Sequence, residues 1–280
     1  MYNKTDFIVE KIKKFSQKPP ENERVIRLCI NQSLRGTPIT FYNWECPPRV
    51  LIRDRQGRLL LNYLVDIDKV FRGEKIDKYT EIPRVVKDQN REIKILKLLN
   101  SLGIKFRFVK IIADTNAYYI TPNSLEALGE KNIRRSLSIF KRKIKEITDK
   151  AYSVKPKVYL FTKLMSGFRS DYDTVFNESL KLLAKPADLI RQKTWNEEIN
   201  YLRRHIGFRN NQKDELVNFA RRTIATYAAE GITFDLLSRT EYFSNCVWLN
   251  IEEMSDRVVE ITNCLRIKKG LGAMPMIFPV

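Results

Sequence analysis

The residues best placed to do chemistry are Asp114, Thr115 and Asn116, three polar side chains in a row at the end of an apolar, β-branched run, Phe108–Ile112. Such a run reads as a strand buried on both faces, and ligands of open parallel sheets sit beyond the carboxyl ends of the strands. The ends of the other expected strands add Ser33, Thr162, Lys163 and Glu252. Ser33 is a candidate nucleophile, although nothing beside it in sequence would activate it, and Asp114 and Asn116 are candidate substrate-binding groups. Tyr227 and Glu230, in ATYAAEG, are neighbours at i, i+3 on a helix face. Gly231 is expected to close that helix, which leaves Glu230 in the last turn, where the helix dipole disfavours a carboxylate. A phenol beside such a carboxylate is suited to positioning an amine and taking its proton. The plainer alternatives are an Asx turn at 114–116, a turn serine at 33 and a surface acid beside a core tyrosine.

A second feature follows directly in the chain. From Glu130 a helix is expected in which Ile133, Leu137, Phe140, Ile144 and Ile147 fall within roughly 80° of one another. Lys131, Arg134, Arg135, Lys141, Arg142 and Lys145 share an opposite arc of about 120°, read as a cationic rail free of acids. The whole chain is basic as well: 51 Lys+Arg against 33 Asp+Glu gives a formal charge of +18 over 280 residues, and nucleic acid is the commonest partner of such a field. Arg203 and Arg204, beside the single histidine His205, extend the candidate nucleic-acid-binding set.

Absences narrow the chemistry further. The chain has no GxGxxG, GxxxxGK[ST], HExxH or GxSxG motif, so neither a phosphate loop, a zinc protease site nor a nucleophile elbow is expected. Cys29, Cys46, Cys246 and Cys264 are widely spaced and form no C-x-x-C pair, which fits free thiols better than zinc or disulfides. No apolar run of about 18 residues occurs. A cytoplasmic protein with neither metal nor cofactor, and no membrane partner, is the expectation.

These groups need elements to position them. An N-terminal helix over Asp6–Phe15 is followed by expected strands at Arg24–Ile30 and Ile39–Cys46, then by a hairpin turning at Gly57, and residues 69–86 read as irregular. From Asp88 onward helices and strands alternate, with a helix over Asp88–Leu102, the central strand and rail helix, and a strand over Lys157–Thr162. Helices over Tyr172–Ala184, Pro186–Ile206 and Lys213–Ala229 lead to a late strand over Asn245–Ile251 and an apolar tail, GLGAMPMIFPV, expected to pack down. Alternation of this kind implies an α/β fold with a Rossmann-like parallel-sheet core and helices on both faces, here with an N-terminal β-hairpin region. A single domain over 1–280 is expected, its β-rich part being 1–86 and its alternating part 87–280, with strand 107–113 central.

Val109–Asp114 followed by the helix carrying Arg134, Arg135, Lys141, Arg142, Lys143 and Lys145 resembles the central unit of the cyclodipeptide synthase family over residues 105–231. That resemblance implies a Rossmann-like fold similar to class I aminoacyl-tRNA synthetases, an aminoacyl-tRNA substrate, and joining of two aminoacyl groups. It also implies that Ser33 takes an aminoacyl group, that Tyr227 and Glu230 serve the amine, and that the basic helix grips tRNA. Asn31 stands where the family has a glycine, and Tyr227 and Glu230 are three apart where the family has four. The functional expectation is therefore an aminoacyl-tRNA-using transferase, against two alternatives: a non-catalytic RNA- or DNA-binding protein, or an enzyme for a small phosphorylated or nucleotide-like substrate.

Overall fold

The structure, a computed structural model, describes residues 3–76, 82–186, 190–206, 208–209, 212–238, 240, 243–249, 255–277 and 279, without the side chains of 205, 206, 255–259 and 261. The chain opens with α1 (Lys4–Lys14) and α2 (Glu23–Leu34), then β1 (Ile39–Glu45), β2 (Val50–Arg53), β3 (Leu59–Asn62), α3 (Ile67–Phe71) and α4 (Arg84–Lys87). Next come α5 (Gln89–Ser101), β4 (Phe106–Ile112), α6 (Asn116–Tyr119), α7 (Asn123–Leu128), α8 (Glu130–Ala151), β5 (Lys157–Leu160) and α9 (Phe161–Leu164). After a single 3-10 turn, α10 (Arg169–Leu182), α11 (Gln192–Ile206), α12 (Lys213–Leu237), β6 (Cys246–Leu249), α13 (Ser255–Lys268) and β7 (Met276–Ile277) complete it.

Five strands form one sheet in the order β5-β4-β1-β6-β7, every pair parallel. The middle strand is β1, with all seven residues buried, and it runs in register with β4 from Ile39 opposite Phe106 to Glu45 opposite Ile112. β4 is thus internal, as expected, although the centre belongs to β1. Alternation along the strands divides two cores. Phe41 and Phe108 pack with α1, α2 and α5 through Ile8, Ile12, Ile30, Leu96 and Leu99 on one face. Tyr42, Trp44, Val109 and Ile111 pack with α8, α10 and α12 through Leu137, Phe176 and Ile224 on the other. Helices on both faces of a parallel sheet make this the Rossmann-like α/β architecture.

The hairpin forms as expected, β2 pairing antiparallel with β3 around Gly57, whose φ is +77°. Between 67 and 87 the chain is more ordered than expected, holding α3 and α4, while 77–81 lie outside the described residues. The tail packs down, with β7 as an edge strand and Met274, Met276 and Ile277 buried.

Two expectations are corrected. Arg24–Ile30 is helical, part of α2: Ile26, Cys29, Ile30 and Ser33 recur at i, i+3, i+4 and i+7, and that helical face is the buried one. Gly231 does not end its helix, since α12 continues to Leu237. It is small because α13 and the tail come close: a Cβ there would lie 2.8 Å from Thr262 Cγ2 and 3.3 Å from Met274 Sδ.

Lys110 departs from the apolar pattern of its strand. It is 0% exposed, and its Nζ donates to Glu45 at 2.7 Å and to Glu92 at 2.8 Å, both carboxylates being equally buried. Asn43 and Tyr152 donate to Glu92 as well. Burial alone would lower the Lys110 pKa, but the two carboxylates outweigh it and hold the ammonium above its ordinary value. Burial raises Glu45, opposed by the charge of Lys110 and helped by that of Glu92.

Candidate functional site

At the carboxyl end of β4 the polar triplet divides three ways. Asp114, 1% exposed, accepts from the Thr162 N–H at 2.9 Å and from the Thr162 hydroxyl. Thr162 lies in the first turn of α9, so Asp114 satisfies a free helix N–H from a neighbouring strand end. Burial raises the Asp114 pKa, and the bonds from Thr162 oppose that. Thr115 points elsewhere and donates to Glu230 on α12. Asn116 is fully buried in the first turn of α6, and neither amide atom of its side chain has a partner among the described residues. A buried amide with all its capacity unused is uncommon in a native interior.

Glu230 is buried about two turns before the end of α12, so the expected effect of the last helical turn does not apply to it. Desolvation pushes its pKa up to about 8; the Thr115 bond opposes this, Asp114 adds to it and Arg49 opposes it. The carboxyl is therefore mostly protonated at neutral pH. Tyr227 is half-buried, and burial raises its phenol well above the ordinary value. Lesser influences on it come from Cys46, Glu198, Arg49 and Tyr201, of which Arg49 also acts on Glu230.

Ser33 is displaced altogether. It lies in the last turn of α2 and is buried, its Oγ donating to the Lys105 carbonyl at 3.0 Å and accepting from the Lys105 N–H at 2.9 Å. Lys105 immediately precedes β4, whereas Asp114 follows it, and a strand of this length separates the two ends by roughly 20 Å. The expectation that Ser33 stands at a strand end beside Asp114 is corrected on both counts. Glu252 and the His205 side chain lie outside the described residues.

Beside Asp114 opens a cavity of about 410 Å³. Asp114 and Leu160 come to it from the strand ends, Arg134, Leu137 and Ser138 from α8, Thr162 and Lys163 from α9, and Arg169 from α10. Tyr118 and Tyr119 line it from α6. Burial raises the Tyr118 phenol above its ordinary value, opposed by the charge of Arg134. Tyr119 donates to Asp173 at 2.5 Å. Sequence reasoning found Asp114, Thr162, Lys163 and Arg134 but not Tyr118, Tyr119, Arg169, Ser138 or Ser166. The signal for the tyrosines was their place two and three residues beyond the polar triplet.

Arg134 also begins the cationic face of α8. As expected, Ile133, Leu137, Phe140 and Ile144 are buried, and Lys131, Arg134, Arg135, Arg142 and Lys145 are exposed, with Lys141 half-exposed. The face is not free of acids, however. Arg134 pairs with Glu130 at 2.5 Å, Arg142 with Glu146 at 3.7 Å and Lys145 with Asp149 at 2.5 Å, each one turn away. Lys131, Arg135 and Lys141 have no ion pair among the described residues. Exposed pairs of this kind contribute about 0–1 kcal/mol and exchange readily for a phosphate. Arg203 is half-buried and Arg204 exposed on α11, which packs on α12 and α13, while α8 packs on α3, α4, α7 and β5. Those two arginines are therefore not gathered onto the face of α8.

Among the described residues no group of three His, Cys, Asp or Glu side chains is placed to hold a metal ion, and no helix is long and apolar enough to cross a membrane.

No protein-family model matches the sequence, and no curated protein matches it. Solved structures that it resembles include the tyrosyl-tRNA synthetase of Aeropyrum pernix, at 11% identity and a TM-score of 0.49 over 99% of this chain and 62% of that one. Leishmania major tyrosyl-tRNA synthetase in complex with tyrosinol gives 11% identity and a TM-score of 0.48 over 100% of this chain and 31% of that one. A tryptophanyl-tRNA synthetase homolog from Entamoeba histolytica gives 10% and 0.43 over 98% and 58%. This chain thus spans less than two thirds of each. Likeness at this level carries no argument about what the protein does.

Proposed function

We propose that this protein works on aminoacyl-tRNA, holding RNA phosphates along α8 and receiving the charged end at the carboxyl edge of β4 and β5, where an acceptor amine attacks the ester carbonyl, an amide forms and the tRNA leaves with its terminal hydroxyl free. One observation carries this reading: Arg134 belongs both to the exposed cationic face of α8 and to the wall of the cavity beside Asp114. A polymer track and a concave site are therefore continuous. The resemblance of residues 105–231 to the cyclodipeptide synthases supports the same substrate class. Asp114 lines the cavity and anchors the start of α9 through Thr162, and Glu230 is a positioning residue that holds Thr115. Ser33 has no part in this proposal, because its hydroxyl is engaged at the other end of the strand.

The position of Ser33 specifically favours a second reading, an RNA-binding protein without transfer activity. Filter binding of tRNA across a salt series tests what the two share. Arg135→Ala, Lys141→Ala, Arg142→Ala and Lys145→Ala in one chain are expected to weaken binding and to flatten the salt slope by roughly one unit for each phosphate that is no longer neutralised. Unchanged binding would sink both. Incubation with tRNA carrying a labelled amino acid then separates them: release of the label in an amide product supports transfer, and label that stays on the tRNA or leaves only as the free amino acid selects the binder.

A further inference from the structure

The cavity beside Asp114 has a chemistry of its own, distinct from the buried Glu230–Thr115 pair, which does not line it. Two guanidinium groups enter it from different elements, Arg134 from α8 and Arg169 from the first turn of α10. Tyr118 and Tyr119 line the same wall beside them. Lys163 joins them from α9, exposed and without an ion pair among the described residues. Three acids lie close by, yet their capacity is taken or weak. Asp114 already accepts two bonds from Thr162, Asp173 accepts the Tyr119 hydroxyl, and Glu130 makes an exposed intrahelical pair of little worth. What the cavity has to spare is donors for an anion, and arginine forks match the oxygens of a phosphate better than any other side chain.

The remaining wall is apolar. Leu137, Leu160 and Met165 line it together with the Tyr118 ring. A bare phosphate would leave that surface wet. A volume of about 410 Å³ lies in the range of sites for small organic ligands, roughly 300–1,000 Å³.

We propose that this cavity binds a nucleoside monophosphate unit, with its phosphate among Arg134, Lys163 and Arg169 and its base against the apolar wall. The inference rests on the RNA reading only for one of its two sources: the unit is either the terminal nucleotide of an RNA or a free mononucleotide.

Isothermal titration of the full chain with AMP, adenosine and inorganic phosphate tests it. AMP is expected to bind, and adenosine and phosphate to bind at least about tenfold more weakly, since each lacks one half of the interactions. Arg169→Ala should weaken AMP binding about tenfold, with Arg169→Lys between it and the parent. Lys163→Ala, at an exposed position with no ion pair to break, should also weaken it and guards against a folding defect at 169. Displacement of labelled tRNA by AMP would assign the unit to the RNA end, and AMP binding without displacement would assign it to a free nucleotide; both support the site. Absence of AMP binding, or binding that neither Arg169→Ala nor Lys163→Ala changes, overturns it. The two proposals fail separately: a protein that binds tRNA but not AMP refutes this inference alone, and one that binds AMP but not tRNA refutes the RNA reading alone.

Discussion

Replacing Glu230 with Gln removes a titrating group from the interior while keeping its shape and an oxygen to accept the Thr115 hydroxyl. The folded carboxyl has a pKa near 8 against an ordinary value of 4.5, because burial penalises its charged form. Between those values the folded chain holds a proton that the unfolded chain has lost, so this group's stabilisation is complete below about pH 4.5 and drains away as the pH rises towards 8. The slope is about 1.4 kcal/mol per pH unit, or about 2 kcal/mol between pH 5.5 and 7.0. The amide of the variant cannot titrate, and the other ionisable groups are common to both chains. The difference in unfolding free energy between parent and Glu230→Gln is therefore expected to shift by about 2 kcal/mol in favour of the variant over that interval. Urea unfolding followed by tryptophan fluorescence at the two pH values measures this directly. With an m-value of roughly 3 kcal/mol/M, the gap between midpoints should move by about 0.7 M. A gap that is the same at both pH values, or one that moves in favour of the parent at higher pH, would refute the argument that Glu230 is buried and protonated.

Two further outcomes concern the scaffold under the site. Lys110→Met leaves Glu45 and Glu92 facing each other without their cation and should cost about 3–5 kcal/mol in urea unfolding, partly recovered by adding Glu45→Gln; a loss under about 1 kcal/mol would contradict the buried network. Gly231→Ala gains about 1 kcal/mol of helix preference but drives a methyl against Thr262 Cγ2, an overpacking cost of about 1–3 kcal/mol. A net loss is expected, relieved when Thr262→Ser removes the opposing methyl, and a variant more stable than the parent would refute the close approach of α12 and α13.

The elements that declare themselves in the sequence are those whose burial follows a single local period. α8 shows its apolar face at Ile133, Leu137, Phe140 and Ile144 because one side of it lies on the sheet and the other in water. β4, β5 and β6 read as strands because their apolar runs are short and bounded by polar residues, and the hairpin because Gly57 supplies the turn. RVIRLCI misleads because it is short and dense in apolar residues, so strand and helix patterns both fit it, and only packing against the sheet selects the helix. Composition and spacing by themselves thus determine a basic α/β chain with a parallel sheet, a cationic helix and polar groups at one strand end. What those polar groups face was decided by partners distant in sequence. Asp114 finds Thr162, 48 residues on, Thr115 finds Glu230, 115 residues on, and Ser33 is tied to Lys105, 72 residues on, at the wrong end of the strand. Neighbouring residues on an irregular strand end point in different directions, and which partner each meets depends on how helices from elsewhere in the chain settle on the sheet. The tertiary structure alone therefore decided that Asp114 lines an open cavity, that Glu230 is buried against Thr115 outside it, and that arginines from two helices reach that cavity beside two tyrosines.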